Sequence, residues 1–104
     1  MTGTTTDPKD PRLSRGVDEE PRPQAERYLV LSPDERRKGY VRPLRTVYIH
    51  TTCGSQTRMG HDIAATYARD PSFYGATYCC HCMMHRPVGE HGEFVWEDGT
   101  KVGT

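Results

Sequence analysis

Long apolar runs and large apolar side chains are both scarce in this sequence. Hydrophobic residues make up 34% of its 104 positions, with one Trp and two Phe. No apolar stretch approaches the roughly 18 residues that cross a membrane, and the beginning of the chain lacks the apolar core of a signal peptide. We therefore expect no membrane association and a location in the cytoplasm. Because few side chains can form a core, we also expect a metal ion or disulfide bonds to stabilise the fold.

A net charge of either sign is also absent. Lys and Arg together number 14, as do Asp and Glu, and the isoelectric point is near 7.0. This balance argues against a dedicated nucleic-acid-binding protein, which is usually strongly basic. Residues 28–58 nevertheless carry a net charge of +4. Their basic segment, residues 36–45, is either an exposed charged stretch or a surface for nucleic acid or an acidic protein; its candidate contact residues are Arg36, Arg37, Lys38, Tyr40, Arg42 and Arg45.

Aromatic residues are missing from the first 27 positions. Those positions are rich in Thr, Pro, Arg and acidic residues, so they have little apolar surface to offset the entropy of ordering. We predict a disordered tail over residues 1–27 and a folded domain over residues 28–104.

Within that domain, periodicity and end signals predict several elements. Ser32 and Pro33 are typical of a helix start, and Gly39 of its end, which predicts a short helix over about 33–38. Residues 44–50 alternate as a strand does. Apolar residues at helical spacing predict a helix of about ten residues between Gly60 and Pro71, and residues 76–79 are consistent with a short strand.

The C-terminus has the pattern of a β-hairpin. Asp98-Gly99 favours a two-residue type I′ turn between residues 93–97 and 100–102. That register places Val95 opposite Val102 and Trp96 opposite Lys101, close enough for a cation–π contact. Phe94 and Trp96 share one face, which we expect to form a wall of the core.

Cysteine and histidine form the strongest pattern in the chain. His50 and Cys53 are three residues apart, as are Cys79 and Cys82, with 25 residues from Gly54 to Tyr78 between the pairs. Such pairs present two donors from one tight turn, and zinc prefers four tetrahedral nitrogen or sulfur ligands. We therefore predict one structural Zn²⁺ bound by the following residues: His50, Cys53, Cys79 and Cys82.

Two alternatives to this ligand set remain open. Cys80 is adjacent to Cys79 and can replace it if the register differs by one residue. His85 can replace His50, since it lies three residues after Cys82. Because four protein ligands leave no position for an activated water, we expect no catalysis by the ion, with a metal-dependent nuclease as the minor alternative.

Part of the sequence resembles a known group of proteins. Val41-Arg42-Pro43-Leu44-Arg45, Tyr48-Ile49-His50, Cys53-Gly54, the stretches 65–71 and 73–77, and residues 87–90 and 93–96 carry this resemblance. Residues 41–104 resemble small uncharacterised zinc-binding proteins of actinobacteriophages. The resemblance implies expression in the cytoplasm of an infected bacterium and the same ligand positions, with Cys79 or Cys80 undecided.

The sequence therefore predicts a small α+β, zinc-ribbon-like or treble-clef-like domain with one main helix. We expect a non-enzymatic phage accessory protein that binds a host protein of transcription, replication or defence. Direct nucleic-acid binding through residues 36–45 is the alternative.

Overall fold

The computed structural model describes residues 3–13 and 17–104. Their helices are α1 (Pro33–Arg36) and α2 (His61–Arg69). Their strands, in chain order, are β1 (Gly3–Thr5), β2 (Arg27–Leu29), β3 (Val47–His50), β4 (Gln56–Arg58), β5 (Ala76–Cys79), β6 (Met84–Pro87) and β7 (Phe94–Trp96). The described residues therefore form a small α+β fold. None of their helices has the length and apolarity that a membrane crossing requires.

The strands form three small sheets. Strands β4, β3 and β7 make an antiparallel sheet in that order, and β5 and β6 form a hairpin. Strands β1 and β2 pair in parallel. The antiparallel sheet and the β5–β6 hairpin carry the residues of the predicted metal site.

Both helices begin where their start signals predict. Ser32 Oγ accepts a hydrogen bond from the Glu35 backbone N–H at 3.2 Å, which caps α1. The first turn of α2 follows Gly60, and α2 ends before Pro71, which cannot continue a helix. The predicted main helix is therefore confirmed, while α1 and β3 are shorter than predicted.

The core lies between α2 and the β4–β3–β7 sheet. Phe94 and Trp96 are almost completely buried, as expected of a core wall. The Trp96 ring makes edge contacts with Tyr48 and Tyr67, at centroid distances of 6.3 and 5.5 Å. This aromatic cluster ties β3 and β7 to α2.

The C-terminal hairpin has a different register from the predicted one. The Gly99 N–H donates to the Trp96 carbonyl at 2.9 Å, and the Trp96 N–H donates to the Thr100 carbonyl at 2.8 Å. Gly99 has a φ of +89°. This is a three-residue loop with glycine in the left-handed position, so Val95 lies opposite Lys101 and not Val102.

The predicted contact between Lys101 and Trp96 is consequently wrong. Lys101 Nζ donates to the Gly92 carbonyl at 3.0 Å. The cation over the Trp96 ring is Arg45, whose guanidinium carbon lies 4.8 Å from the ring centroid. The one-residue change of register moves Lys101 away from the face that Trp96 occupies.

Residues 3–13 and 17–27, which lie within the predicted disordered tail over residues 1–27, make contacts with the rest of the fold. Strand β1 pairs with β2, and the Asp18 carboxylate is buried against His85. The Arg22 backbone N–H donates to the Met83 carbonyl at 2.7 Å. The described part of this segment is held mainly by polar contacts, which composition does not reveal. Residues 1–2 and 14–16 lie outside the described residues.

Candidate metal centre

The first ligand turn, residues 50–54, joins β3 to β4. The Gly54 N–H donates to the His50 carbonyl at 2.7 Å, and the His50 N–H donates to the Ser55 carbonyl at 3.0 Å. Gly54 has a φ of +76°, the left-handed conformation that glycine adopts at least cost. These bonds place the side chains of His50 and Cys53 on the same side of the turn.

The second ligand turn, residues 79–83, joins β5 to β6 and repeats this geometry. The Met83 N–H donates to the Cys79 carbonyl at 2.8 Å, as Gly54 does to His50. Met83 has a φ of +56°. The Cys82 N–H points at Cys79 Sγ, 3.4 Å away. In both turns the residue after the second predicted ligand is left-handed.

The two turns bring their four side chains to one point. One ligand atom each from His50, Cys53, Cys79 and Cys82 lies within 4.8 Å of the other three. Cys53 Sγ is 3.4 Å from His50 Nδ1 and 3.6 Å from Cys79 Sγ, and Cys82 Sγ is 3.5 Å from His50 Nδ1. A tetrahedral zinc site separates its ligand atoms by about 3.5 to 3.8 Å. The geometry can therefore hold a metal ion such as zinc.

The His50 ring is oriented by contacts on its other side. Its Nε2 lies 2.8 Å from Glu93 Oε1, and its plane stacks on Phe94 at a centroid distance of 4.7 Å. The second oxygen of Glu93 accepts from Arg86 Nη2 at 2.9 Å. Hydrogen bonds from Arg86 and then His50 lower the pKa of Glu93, so it is a carboxylate at neutral pH. A carboxylate on the outer nitrogen directs Nδ1 toward the cysteines.

Sequence reasoning did not identify Glu93 or Arg86 as part of this site. Neither has metal-ligand spacing, and their proximity to His50 depends on how β3, β6 and β7 are arranged. The available signal is indirect. Glu93 immediately precedes β7, and β7 pairs with β3 so that Phe94 lies opposite His50.

The thiols differ in acidity because they share one small volume. Burial opposes ionisation of Cys53, but hydrogen bonds from Ser55, His50 and Cys79 lower its pKa to about 6. Burial and the neighbouring thiols Cys53 and Cys79 raise the pKa of Cys82 to about 12. Without a bound cation, the Cys53 thiol therefore ionises more readily than the Cys82 thiol. A divalent cation bound here would stabilise the thiolate forms of the cluster.

The two alternative ligands lie outside the cluster. Cys80 is exposed, and its sulfur contacts Thr57 Oγ1 at 3.2 Å and the Gln56 carbonyl at 3.4 Å. His85 is buried, with Nδ1 2.7 Å from Asp18 Oδ2 and Nε2 2.8 Å from the Tyr28 hydroxyl. Both ring nitrogens of His85 thus have protein partners. The structure favours Cys79 over Cys80 and His50 over His85.

The basic segment does not form a single cationic surface. Arg36 pairs with Asp62 at 2.7 Å, and Arg45 pairs with Asp98 at 3.2 Å while covering Trp96. Arg37 pairs with Asp34, Lys38 pairs with Glu35, and Arg42 donates to the Thr104 carbonyl. Arg36 and Arg45 are largely covered, whereas Arg37, Lys38, Tyr40 and Arg42 are exposed.

Comparison of the chain with known protein families, with curated proteins and with solved structures gives no match.

Proposed function

We propose that this protein is a non-enzymatic binding module stabilised by one structural zinc ion. The supporting observation is the convergence of four ligand atoms from two separate turns, with the outer nitrogen of His50 on a carboxylate. Three thiolates and one imidazole are a common donor set for structural zinc. The two facing turns give the site a zinc-ribbon-like arrangement.

The donor set supports a structural role for the ion and not a catalytic one. Catalytic zinc sites keep one coordination position for water or substrate. Here His50 and the three cysteines would fill all four positions of a tetrahedron. The metal would instead fix the β3–β4 turn to the β5–β6 turn, and its binding free energy would contribute directly to folding.

The experiment is metal analysis of the full chain purified without added chelator, beside three variants. We expect one zinc per chain, and we expect His50→Ala to lose the metal and the folded spectrum together. Cys80→Ala is the control: it removes a cysteine of the second ligand turn that lies outside the cluster, and it should retain both. His85→Ala should retain zinc with lower stability, because His85 is buried. Metal-free protein that keeps its fold in the presence of a chelator would contradict the proposal.

We further propose that the module binds a protein of an infected bacterial host in its cytoplasm. The resemblance of residues 41–104 to actinobacteriophage proteins supports the setting. The exposed side chains of Tyr40, Val41 and Leu44 support the contact, since adjacent exposed apolar residues are a common feature of protein interfaces. Capture of a host protein should be lost in Val41→Asp and kept in Val17→Asp, a matched change at another exposed valine. Equal capture by both variants would exclude this surface.

Nucleic-acid binding is the alternative that exposed Arg37, Lys38, Tyr40 and Arg42 support. Phosphate contacts would make the affinity fall steeply as salt is raised. Absence of binding to DNA and RNA at low salt would exclude it.

A further inference from the structure

A small cavity lies between α2, the β3–β4 hairpin and β5. Its volume is about 80 Å³, and five tyrosines contribute to its wall: Tyr28, Tyr48, Tyr67, Tyr74 and Tyr78. Met59 and Ile63 contribute apolar side chains to the lining, and Gln24 and Thr77 contribute polar ones. We call this space the tyrosine cavity.

Four of the five tyrosine hydroxyls have protein partners. Tyr48, Tyr74 and Tyr78 donate to backbone carbonyls at 2.5, 2.6 and 2.8 Å, and the Tyr28 hydroxyl lies 2.8 Å from His85 Nε2. These hydroxyls hold the wall in place and are not free to bind a ligand.

Tyr67 is the exception. Its side chain is 97% buried, and its hydroxyl has no hydrogen-bond partner among the described residues. Thr77, on the same wall, donates its hydroxyl to Tyr48 at 3.3 Å and approaches the Tyr67 hydroxyl without meeting hydrogen-bond geometry. Buried hydroxyls are nearly always hydrogen-bonded, because an unpaired one loses its hydration without compensation. An acceptor inside the cavity would supply the missing partner.

Arg58 gives the cavity a charge preference. It is exposed on β4 and lines the cavity, so it lies at the mouth. No ion pair or side-chain hydrogen bond of Arg58 is seen among the described residues. The Arg58 guanidinium at the mouth and the Tyr67 hydroxyl in the wall favour a ligand that is negatively charged and accepts hydrogen bonds.

The volume limits the size of the ligand. An engineered apolar cavity of about 150 Å³ holds benzene, so the tyrosine cavity accepts something smaller or something that extends through the mouth. A short aliphatic chain fits against the rings, Met59 and Ile63.

We propose that the tyrosine cavity binds a short-chain monocarboxylate. One carboxylate oxygen accepts from the Tyr67 hydroxyl, Arg58 neutralises the charge, and the apolar chain packs on the aromatic wall. This site is separate from the four metal ligands and goes beyond a structural role for zinc.

The test is an NMR titration of the zinc-loaded full chain with sodium propionate, with propionamide as the neutral probe and sodium chloride as the salt control. We expect saturable shifts at Tyr67 and Ile63 with propionate, and at least about fivefold weaker binding of propionamide. Absence of saturable shifts with propionate would overturn the proposal and mean that the cavity holds water only.

Two variants make the assignment specific. Tyr67→Phe removes only the unpaired hydroxyl, so the fold should persist while propionate binding weakens about two- to tenfold. Arg58→Gln should weaken propionate binding and leave propionamide binding unchanged, and Arg37→Gln, at an exposed arginine outside the cavity, should change neither. Undiminished propionate binding in Tyr67→Phe or in Arg58→Gln would show that the anion binds elsewhere and overturn the proposal.

Discussion

His50 is the residue whose orientation determines whether the four side chains can share one ion. Its ring is buried, stacked on Phe94 and fixed at Nε2 by Glu93, which leaves Nδ1 facing Cys53 and Cys82. A carboxylate on the distal nitrogen fixes the tautomer and increases the basicity of the metal-binding nitrogen. Glu93 is therefore a positioning residue for the centre.

We predict that Glu93→Gln lowers zinc affinity about tenfold while the stoichiometry remains one ion per chain. The amide retains the shape of the side chain but loses the charge that acts on His50. The measurement is competition with a chromophoric chelator at neutral pH. Glu97→Gln is the control, since Glu97 is exposed. Equal zinc affinities of Glu93→Gln and Glu97→Gln would show that Glu93 does not position His50 for metal binding.

Residue spacing predicted which four side chains converge, and the structure confirms that convergence. Spacing succeeds because each pair is held within one turn. It does not predict Glu93 or Arg86, because their distance to His50 depends on the pairing of β3 with β7 and not on any local pattern. The binding of zinc itself remains a prediction.

At the scale of elements, the two ligand turns share one backbone geometry but differ at one position. Gly54 occupies the left-handed position of the first turn, and Met83 that of the second. Non-glycine residues pay a steric cost there, so the second turn is the more strained of the two.

We expect Gly54→Ala to destabilise the metal-loaded protein by about 1–2 kcal/mol, because alanine disfavours the positive φ of this turn. Gly75→Ala is the matched control: Gly75 is exposed, has open space around its Cα and does not have a positive φ, so stability should not fall. Denaturant unfolding at saturating zinc compares the two. Loss of the metal from Gly54→Ala would mean that the geometry of the first ligand turn, and not only the stability of the protein, had changed.

Helix α2, which lies between Gly60 and Pro71, is the element that the sequence predicted best. Ser32 marks the start of α1 correctly, but α1 ends at Arg36, before the predicted end at Gly39. The C-terminal register was wrong because Asp98-Gly99 fits two hairpin loops that differ by one residue. Strand β4 is too short to show alternation, and its place in the sheet follows from the ligand turn before it.

At the scale of the whole molecule, the described part of the N-terminal segment is attached to β6 through hydrogen bonds of Asp18. Asp18 Oδ2 accepts from the His85 backbone N–H at 2.8 Å and lies 2.7 Å from its ring. The Asp18 N–H donates to the His85 carbonyl at 2.9 Å, and Arg86 donates to the Asp18 carbonyl at 3.1 Å. Although burial opposes ionisation, the bonds from His85 lower the pKa of Asp18. Composition could not reveal this attachment, because it depends on one carboxylate reaching one histidine.

We predict that Asp18→Ala lowers the free energy of unfolding by about 2 to 4 kcal/mol, because two buried donors of His85 lose their acceptor. Zinc stoichiometry should not change, since His85 lies outside the four ligands. Glu19→Ala, at the exposed neighbouring position, should change stability by less than about 0.5 kcal/mol. Thermal unfolding of the zinc-loaded proteins measures both. Unchanged stability of the Asp18→Ala variant would contradict the attachment of this segment to the fold through Asp18.

The closure of each ligand turn by its own backbone bonds has a consequence for assembly. Either turn can present two donors before the other has formed, so capture of the ion can begin at residues 50–54 or at residues 79–83. Binding of the other pair of ligands would then complete the coordination of the ion and close the loop of 25 intervening residues in a single step. The refolding rate would therefore increase with the concentration of free zinc, and chains made when zinc is scarce would remain partly folded.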